Sequence, residues 1–511
     1  MNTELCTSKR TGVMAVSMMV LMTLSHAVST CMNSMLSIIR LLWRWYIVVR
    51  VAREELPDLD LPPGDMGFPF IGETMDFLND EEGFCNEKMR RYGSIYKSHL
   101  FLNPIIRVVG ADNVKKILMG ENTIVTAYWP QSVRLLIGEG AISQTSGYVH
   151  KIKRRNVMHA LSRETLEEMI PFIQDCVTSV LTDWKSRRDI VTYPECKQMA
   201  FRISACALIG IKPNEHKIGE MHEIFEDFTR SIFSIPVNFP GFGFRQALKA
   251  KKQLHAIIRE VIADVQKGPS TPVMTAIFKS SEALGEDREE SLIEVVVDLL
   301  FAGHETLASA TTNSVMFLGQ RKDVVKKLLD EIRHKLCYEQ NDMVVDGYDC
   351  ATDSLSFQKI NELKYLNNVV NEVLRLLPPA GAGYRKVLKS FELGGFLIPK
   401  GWVVMYGIRD THITSPVFEN AADFDPDRWA DIDASSSHGH NKARFQFLPF
   451  SYGARGCIGK TFAQLVLKIF IIELVQQCEW QLRNDRPKIR FAPMPVPADN
   501  LTIAVKPRTV K

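Results

Sequence analysis

The feature that constrains this chain most is a glycine-rich loop that carries one cysteine and comes directly before a long apolar helix. The loop reads Phe-Ser-Tyr-Gly-Ala-Arg-Gly-Cys-Ile-Gly over residues 450–459, and a helical pattern follows over Phe462–Cys478. Backbone N–H groups and the helix dipole at such an N-terminus favour an anionic sulfur. The pattern therefore predicts a tight turn that holds Cys457 as a thiolate.

A thiolate in this setting is suited to bind haem iron, because an axial thiolate pushes electron density toward cleavage of the O–O bond of dioxygen. Gly453 and Gly459 let the backbone approach a macrocycle, and Arg455 can neutralise a propionate. An isolated cysteine is most often a buried structural residue. The complete pattern Phe-x-x-Gly-x-Arg-x-Cys-x-Gly, which starts at Phe450, reverses that preference.

Composition and charge exclude several other classes of protein. The 62 basic and 59 acidic residues nearly cancel, so nothing indicates a nucleic-acid partner. With 46% hydrophobic residues the chain is not a disordered tail protein. The ten cysteines include no Cys-x-x-Cys pair and do not indicate a disulfide framework.

Hydrophobic periodicity predicts a mainly α fold with a minor β-sheet. The clearest helical patterns cover Arg163–Trp184, Pro194–Ile209, Gln246–Gln266, Glu289–Gly319, Val324–Leu336 and Phe462–Cys478. Strand-like stretches are Ser94–Leu102, Ile105–Val109, Phe391–Ile398 and Val403–Tyr406. The glycine and proline turns at 394–395 and 399–401 predict that the last two stretches form a hairpin.

The N-terminus predicts a membrane anchor at 1–56, a Pro-rich hinge at 57–67 and a catalytic domain at 68–511. No charged residue occurs between Arg10 and Arg40. This uncharged stretch is long enough to cross a membrane once. A cleavable signal peptide is the alternative. The arginines and aromatic residues of 40–53 favour an uncleaved anchor with a cytosolic catalytic domain.

At this point the chain resembles the haem-thiolate monooxygenases, the cytochrome P450 superfamily. Residues 371–375 resemble its Glu-x-x-Arg helix, and residues 424–429 resemble the segment whose Arg428 joins Glu372 and Arg375 in one cluster. The resemblance implies the cytochrome P450 fold and haem b with Cys457 as its thiolate ligand. It also implies electrons from NADPH, delivered by NADPH–cytochrome P450 reductase.

A third segment, Ala-Gly-His-Glu-Thr at 302–306, lies in the helix predicted over Glu289–Gly319. A glycine beside a hydroxyl residue permits a local widening, because a threonine can bond back to the i−4 carbonyl. By resemblance, this notch makes room for dioxygen, and Thr306 and Glu305 supply protons during its activation. The family often has a second threonine where this chain has Leu307.

The resemblance also implies which basic residues hold the haem propionates. The helix at 148–155 matches the family's propionate-binding helix and favours Arg154, with His150 and Lys153 as possible substitutes. Arg385 is a second candidate. The remaining lysines of this helix can dock an acidic redox partner.

A closer resemblance, to the retinoic acid hydroxylases, extends from Leu61 to about Leu501. It rests on ungapped segments such as LPPGDMGFPFIGETMDF at 61–77 and WPQSVRLLIGEG at 129–140. The positions that it assigns to the substrate pocket are Trp129, Ser132, Phe233, Pro236, Phe301, Ala380 and Gly381. Arg107 and Arg134 are its candidate bases for a substrate carboxylate. The small residues at 380–382 replace a bulkier run and can admit a wider ligand.

The sequence therefore predicts an endoplasmic reticulum monooxygenase that hydroxylates a retinoic acid-like apolar carboxylic acid for its clearance. Alternatives are a sterol, terpenoid or fatty-acid hydroxylase of the same superfamily, and a hydroperoxide-rearranging isomerase. Another is a non-catalytic membrane protein that carries haem or lipid. Retention of Glu305 and Thr306 argues against the isomerase.

Overall fold

The computed structural model describes residues 58–68, 71–212, 214–268, 270–285, 289–337, 355–435 and 445–509, with Met32, Met35, Ile39 and Leu42. The predicted anchor at 1–56 lies outside these residues apart from the four N-terminal positions. Within the described part of the chain, no helix combines the length and apolar character that a membrane crossing needs.

The described residues are mainly helical, as the sequence predicted. The α-helices are α1 Thr74–Asn79, α2 Glu81–Tyr92, α3 Ala111–Met119, α4 Gln131–Ile137, α5 Gly147–Ala160, α6 Arg163–Ser186, α7 Thr192–Ile203, α8 Glu215–Arg230, α9 Gly243–Lys267, α10 Pro272–Leu284, α11 Glu289–Gln320, α12 Lys322–Ile332, α13 Phe357–Glu362, α14 Lys364–Leu376, α15 Ile408–Ile413, α16 Arg428–Ser435 and α17 Lys460–Gln477.

Within the described ranges, short strands form four small sheets. The strands are β1 Ile95–Leu100, β2 Asn103–Val108, β3 Val125–Ala127, β4 Ile190–Val191, β5 Ala382–Val387, β6 Phe391–Leu393, β7 Phe396–Ile398, β8 Val403–Gly407, β9 Cys478–Leu482, β10 Ile489–Arg490, β11 Val496–Pro497 and β12 Thr502–Pro507. The largest sheet has the order β1-β2-β8-β5-β3, and the others are β4-β12-β9, β6-β7 and β10-β11.

The predicted hairpin differs from the observed one in its strands. The turn at Gly394 and Gly395 joins β6 to β7, so the hairpin lies entirely within 391–398. Strand β8 instead joins the five-stranded sheet, where it pairs with β2 in parallel and with β5 in antiparallel fashion. Its fully buried pattern explains this, because an all-apolar strand packs on both faces.

One long predicted helix also changes character part of the way along. The segment 194–209 forms α7 only to Ile203 and then a π-helical turn over Ser204–Leu208. Opposite this turn stands Gly303 of α11, where a Cβ atom would lie only 2.5 Å from the Ser204 hydroxyl oxygen. The widened turn and the missing side chain together let α7 and α11 pack closely.

Helix α11 runs through the centre of the molecule and packs against α7, α14 and α17. Most of its residues are buried, and α17 is buried from Leu465 to Val475. Helix α17 begins directly after the cysteine loop, so burial of this helix fixes the position of the loop.

A buried histidine ties the chain before the cysteine loop to helix α14. His412 Nδ1 donates to the Arg375 carbonyl oxygen (2.9 Å), and its Nε2 accepts the N–H of Leu448 (2.7 Å). Only the neutral imidazole can make both bonds, since Nε2 must keep its lone pair. Burial lowers the pKa of His412 to about 4, and the positive charges of Arg375 and Arg409 act in the same direction.

We expect His412 to make part of the stability depend on pH. Its pKa in the folded state lies below the unfolded value of 6.5, so its contribution is complete above 6.5 and is lost as the pH falls through 4. A His412→Gln variant cannot titrate there. Its deficit in unfolding free energy relative to wild type should therefore shrink by about 3 kcal/mol between pH 6.5 and 4, measured by chemical denaturation.

The matched control is His159→Gln, because His159 is exposed at the end of α5. Its difference from wild type should stay constant with pH. A constant difference for His412→Gln as well would contradict this role for His412.

Candidate active site

The cysteine loop is closed by two backbone hydrogen bonds. The N–H of Cys457 donates to the Phe450 carbonyl oxygen (2.8 Å), and that of Gly456 donates to Gly453 (3.1 Å). Gly453 has a φ of +77°, and a Cβ atom there would lie 2.8 Å from the Leu118 carbonyl oxygen. Glycine is therefore required at this position both by the turn and by the contact with α3.

Cations and backbone N–H groups surround the sulfur of Cys457. Burial raises the pKa of the Cys457 thiol, while a hydrogen bond from the Gly459 backbone and the charges of Arg154 and Lys460 lower it. Arg154 Nη1 also donates to the carbonyl oxygen of Gly456 (2.5 Å). The Cys457 residue is nevertheless exposed, so it is accessible to a ligand.

Two arginines predicted to bind propionates meet on one acidic residue. Arg455 Nε lies 2.9 Å from Glu121 Oε1, and Arg385 Nε lies 3.1 Å from Glu121 Oε2. All three side chains are less than a tenth exposed. Sequence reasoning did not find Glu121, because an isolated acidic residue after a glycine ordinarily indicates a solvated turn.

This arrangement fits haem. The two arginines carry one positive charge more than Glu121 compensates, and a buried excess charge calls for an anionic partner. Arg455 Nη1 and Nη2 are buried and have no hydrogen-bond partner among the described residues. A propionate would supply both the charge and the acceptor oxygens, and an iron bound to Cys457 would stabilise its thiolate.

The two residues proposed to replace Arg154 as propionate-binding groups lie in different surroundings. Lys153 points away from the cysteine loop, where its Nζ donates to the Gly140 carbonyl oxygen (2.8 Å) and the Ser291 hydroxyl (3.0 Å). His150 is buried, and its burial, together with the charges of Arg455 and Arg154, lowers its pKa to about 4. His150 is therefore neutral and can offer a hydrogen bond but no charge.

Helix α11 contributes a polar notch. The Thr306 hydroxyl donates to the carbonyl oxygen of Ala302 (2.5 Å), which is the i−4 bond that the sequence suggested. Ala302 is exposed and Thr306 half-buried, whereas the neighbouring Phe301 and His304 are buried. An exposed alanine in a central helix indicates that this face borders an internal cavity.

The carboxylate of Glu305 faces helix α7 and not the Thr306 hydroxyl. It accepts a hydrogen bond from the Tyr193 hydroxyl (2.5 Å) and pairs with Lys197 Nζ (2.8 Å), both on α7. The structure thus places Glu305 against α7, and it shows no contact between Glu305 and the Thr306 hydroxyl. Proton supply by Glu305 requires this side chain to leave the Tyr193–Lys197 pair.

The predicted structural cluster is assembled around one buried carboxylate. Glu372 accepts from Arg375 Nε (2.8 Å), Arg375 Nη2 (2.9 Å) and Arg428 Nε (2.9 Å). It also accepts from Trp429 Nε1 and from the backbone of Asp425, both at 2.9 Å. The side chains of Glu372 and Arg375 have no exposed surface. The cluster joins α14 to the segment that leads into α16.

The predicted substrate positions differ in burial. Ser132 and Phe301 are buried, Trp129 and Pro236 are half-buried, and Phe233 is 45% exposed. Ala380 is exposed, and a Cβ atom added at Gly381 would meet nothing within 4 Å. Open space at Gly381 agrees with the prediction that the small residues at this position leave room for a ligand.

Arg107 lies on the other face of the large sheet from Arg385. In the strand register, Arg107 pairs with Met405 and Met405 with Tyr384, whereas Arg385 pairs with Val404. Side chains of paired residues point to the same face, so the sheet separates the two arginines. Arg107 Nη2 is held by Asp410 (2.5 Å), and its charge is therefore already neutralised.

Arg134 is exposed on α4, where Glu139 is 4.0 Å away and itself 92% exposed. The Arg134 charge is therefore free to bind a carboxylate. Of the two candidate bases, only Arg134 combines access with an available charge.

Comparison with known proteins agrees with this geometry. The family model "Cytochrome P450" matches residues 62–507. Cytochrome P450 26A1 of Danio rerio is 39% identical over 452 residues, which is 86% of this chain and 89% of the relative. Cytochrome P450 26B1 of Homo sapiens is 36% identical over 467 residues, covering 90% and 89%.

The chain belongs to the cytochrome P450 family. A solved structure described as retinoic acid bound cyanobacterial CYP120A1 is similar to it with a TM-score of 0.78 and 30% identity. The match covers 88% of this chain and all of that one. The predicted family and its retinoic acid hydroxylase branch are thus confirmed, as are haem with a cysteine thiolate and a redox partner that supplies electrons.

In this cytochrome P450 we expect the Glu372 cluster to determine whether the chain can hold haem at all. Removing one member of a buried ion pair costs roughly 3–5 kcal/mol, because the other charge stays buried and unpaired. Arg375→Ala should therefore greatly lower the yield of haem-loaded protein and the resistance of the purified protein to denaturant.

The control is Lys327→Ala, which removes the half-exposed pair of Lys327 with Asp427 (2.7 Å). This change should cost no more than about 1 kcal/mol. Equal haem content and equal denaturation midpoints in the two variants would contradict the role of the cluster.

Proposed function

We propose that this cytochrome P450 hydroxylates all-trans-retinoic acid or a closely similar apolar carboxylic acid, with the ring end of the substrate toward the haem. The proposal rests mainly on the exposed Cys457 in its loop, on the buried Arg455–Arg385 pair with its unpaired nitrogens, and on the notch at Ala302 and Thr306. It is supported by the relatives at 36–39% identity and by the related structure with retinoic acid bound.

When bound, haem supplies the redox chemistry that activates dioxygen and inserts one oxygen atom into a C–H bond. Cys457 would hold the iron as its thiolate ligand. Arg455 and Arg385 would bind the propionates. The Thr306 hydroxyl, held by the Ala302 carbonyl oxygen, is positioned to pass a proton into the cavity.

The substrate carboxylate pairs with Arg134 in this proposal. Arg134 is exposed and has only a long contact to Glu139, so it can bind a carboxylate without giving up a strong partner. Trp129 and Phe233 then cover the polyene, and their contribution comes from the apolar area that they remove from water. The open space beside Gly381 accepts the ring.

Electrons come from NADPH through NADPH–cytochrome P450 reductase at the endoplasmic reticulum membrane. The uncharged segment after Arg10 and the arginines from Arg40 to Arg53 support an anchor with the catalytic domain in the cytosol. Release of the catalytic domain from membranes after deletion of residues 1–56 tests the anchor. Unchanged membrane association would contradict it.

A sterol is the second candidate substrate, and the small residues at Ala380 and Gly381 favour it. A fused ring system needs the width that these positions leave open. It carries no carboxylate, so it would gain nothing from Arg134.

We expect Thr306→Ala to separate electron use from product formation. Without the hydroxyl in the notch, protons reach the cavity in the wrong place, so NADPH is still consumed but hydrogen peroxide replaces hydroxylated retinoic acid. The yield of product per NADPH should fall at least tenfold in the reconstituted system. Thr306→Ser, which keeps the hydroxyl, is the control and should retain most of the coupling. Unchanged coupling in the alanine variant would remove Thr306 from the mechanism.

Arg134→Ala tests the substrate assignment. An exposed ion pair contributes up to about 1 kcal/mol, so the dissociation constant for retinoic acid should rise about fivefold. Arg134→Lys should restore much of the affinity, and binding of retinol should not change in either variant. The measurement is a titration of the haem absorption spectrum.

Two results would contradict the assignment. One is unchanged retinoic acid binding by Arg134→Ala. The other is tight binding of sterols by the wild-type enzyme without any binding or hydroxylation of retinoic acid.

A further inference from the structure

Three potential metal ligands meet between α8 and α11, on the side of α11 that carries Glu305. His222 and Glu226 lie one turn apart on α8, and His304 comes from α11. The two Nε2 atoms of the histidines are 3.3 Å apart. Glu226 Oε1 lies 3.4 Å from His304 Nε2 and 3.8 Å from His222 Nε2.

We propose that His222, Glu226 and His304 form a zinc site that fastens α8 to α11. Ligand atoms bound to zinc at 2.0–2.1 Å in tetrahedral geometry are about 3.3–3.4 Å from one another. Two of the observed distances, 3.3 and 3.4 Å, match the edges of such a tetrahedron, and the third, 3.8 Å between Glu226 Oε1 and His222 Nε2, requires a small shift of a side chain. The fourth corner is available to water. Two imidazoles and one carboxylate are a known ligand set for zinc, whereas magnesium and calcium prefer oxygen ligands.

The surroundings of His304 fit a ligand role. Its Nδ1 is buried and has no hydrogen-bond partner among the described residues, and Glu305 Oε1 is the nearby carboxylate at 3.9 Å. Histidines that bind metals usually direct their second nitrogen at such a carboxylate. The rings of Phe201 and Phe225 pack edge-on against His304 and hold it in this orientation.

The local charge favours a cation. Glu226 and Glu305 share the single ammonium group of Lys197, which lies 2.9 Å from Glu226 Oε2, 3.0 Å from Glu226 Oε1 and 2.8 Å from Glu305 Oε1. Two carboxylates and one ammonium leave one negative charge. A carboxylate has about four lone-pair positions, so Glu226 can bind a metal and still accept from Lys197.

Solvent reaches one of the two histidines. The side chain of His222 is 15% exposed, which gives an ion access from solvent. A zinc ion here would hold α8 against the central helix and keep Glu305 in its place beside Tyr193.

The test is zinc binding by the untagged, full-length, haem-loaded protein. Metal content after chelator washing, zinc addition and gel filtration gives the stoichiometry, and competition with a chromophoric chelator gives the affinity. We expect one tightly held zinc ion per chain. His222→Gln should weaken its binding at least a hundredfold, and zinc should raise the melting temperature of wild type but not of this variant.

His216→Gln is the matched control, because His216 is exposed on the same helix and contributes no ligand. Glu226→Gln provides a second test of the ligand set should His222→Gln fold poorly, and it should also lose zinc. X-ray absorption at the zinc edge should show two imidazole ligands.

The proposal is overturned if the wild-type protein retains no zinc. It is equally overturned if His222→Gln and Glu226→Gln bind zinc as tightly as the His216→Gln control. Neither result depends on which substrate the enzyme hydroxylates.

Discussion

The hydrogen bond from the Cys457 N–H to the Phe450 carbonyl oxygen fixes the sulfur at the start of α17, and the remaining structure serves to hold this turn in the interior. Helix α17 is buried along most of its length, so the turn cannot shift along it. On the other side, His412 binds the backbone at Leu448, two residues before Phe450, and connects it to Arg375. The Glu372 cluster therefore helps to fix the position of Cys457, because His412 connects Arg375 of the cluster to the chain just before the cysteine loop.

Most buried charges among the described residues are compensated by nearby groups. Arg107 pairs with Asp410, and Glu372 pairs with Arg375 and Arg428. The positive charge left over at Glu372 faces the backbone carbonyl oxygens of Ala421, Asp423 and Glu419. At Glu121 one positive charge remains, and haem propionates would balance it. At Lys197 one negative charge remains, where the proposed zinc site lies. A charge left over in a low-dielectric interior is costly, so both remainders indicate bound ligands of opposite charge.

The sequence predicted the features that depend on neighbouring residues. The cysteine loop, the pair Glu372 and Arg375 and the back-bonded Thr306 are each contained in a short segment, so their spacing determines the geometry. The helix patterns were also recognisable, but the π turn after Ile203 depends on the glycine that α11 places opposite it. The strand β8 joined β2 rather than its sequence neighbour, because burial on both faces outweighed proximity along the chain.

What the sequence did not reveal arises from contacts between distant segments. Glu121 and the His222–Glu226–His304 group have no local signature, since a single acid or histidine in a helix or turn ordinarily indicates solvent. Arg107 was a candidate base because arginines suit carboxylates, but the register of β2 and β8 turns it toward Asp410. Glu305 was expected beside Thr306, and packing of α11 on α7 turns it toward Tyr193 instead.

The spectrum of the reduced, carbon monoxide-bound protein tests most directly whether Cys457 binds the iron. The wild-type enzyme should show the red-shifted Soret band that a thiolate ligand produces. Cys457→His should lose this band while still binding haem, and replacement of the buried Cys196 by alanine should leave the band in place. If Cys457→Ala keeps the red-shifted band, another group binds the iron and Cys457 is not its ligand.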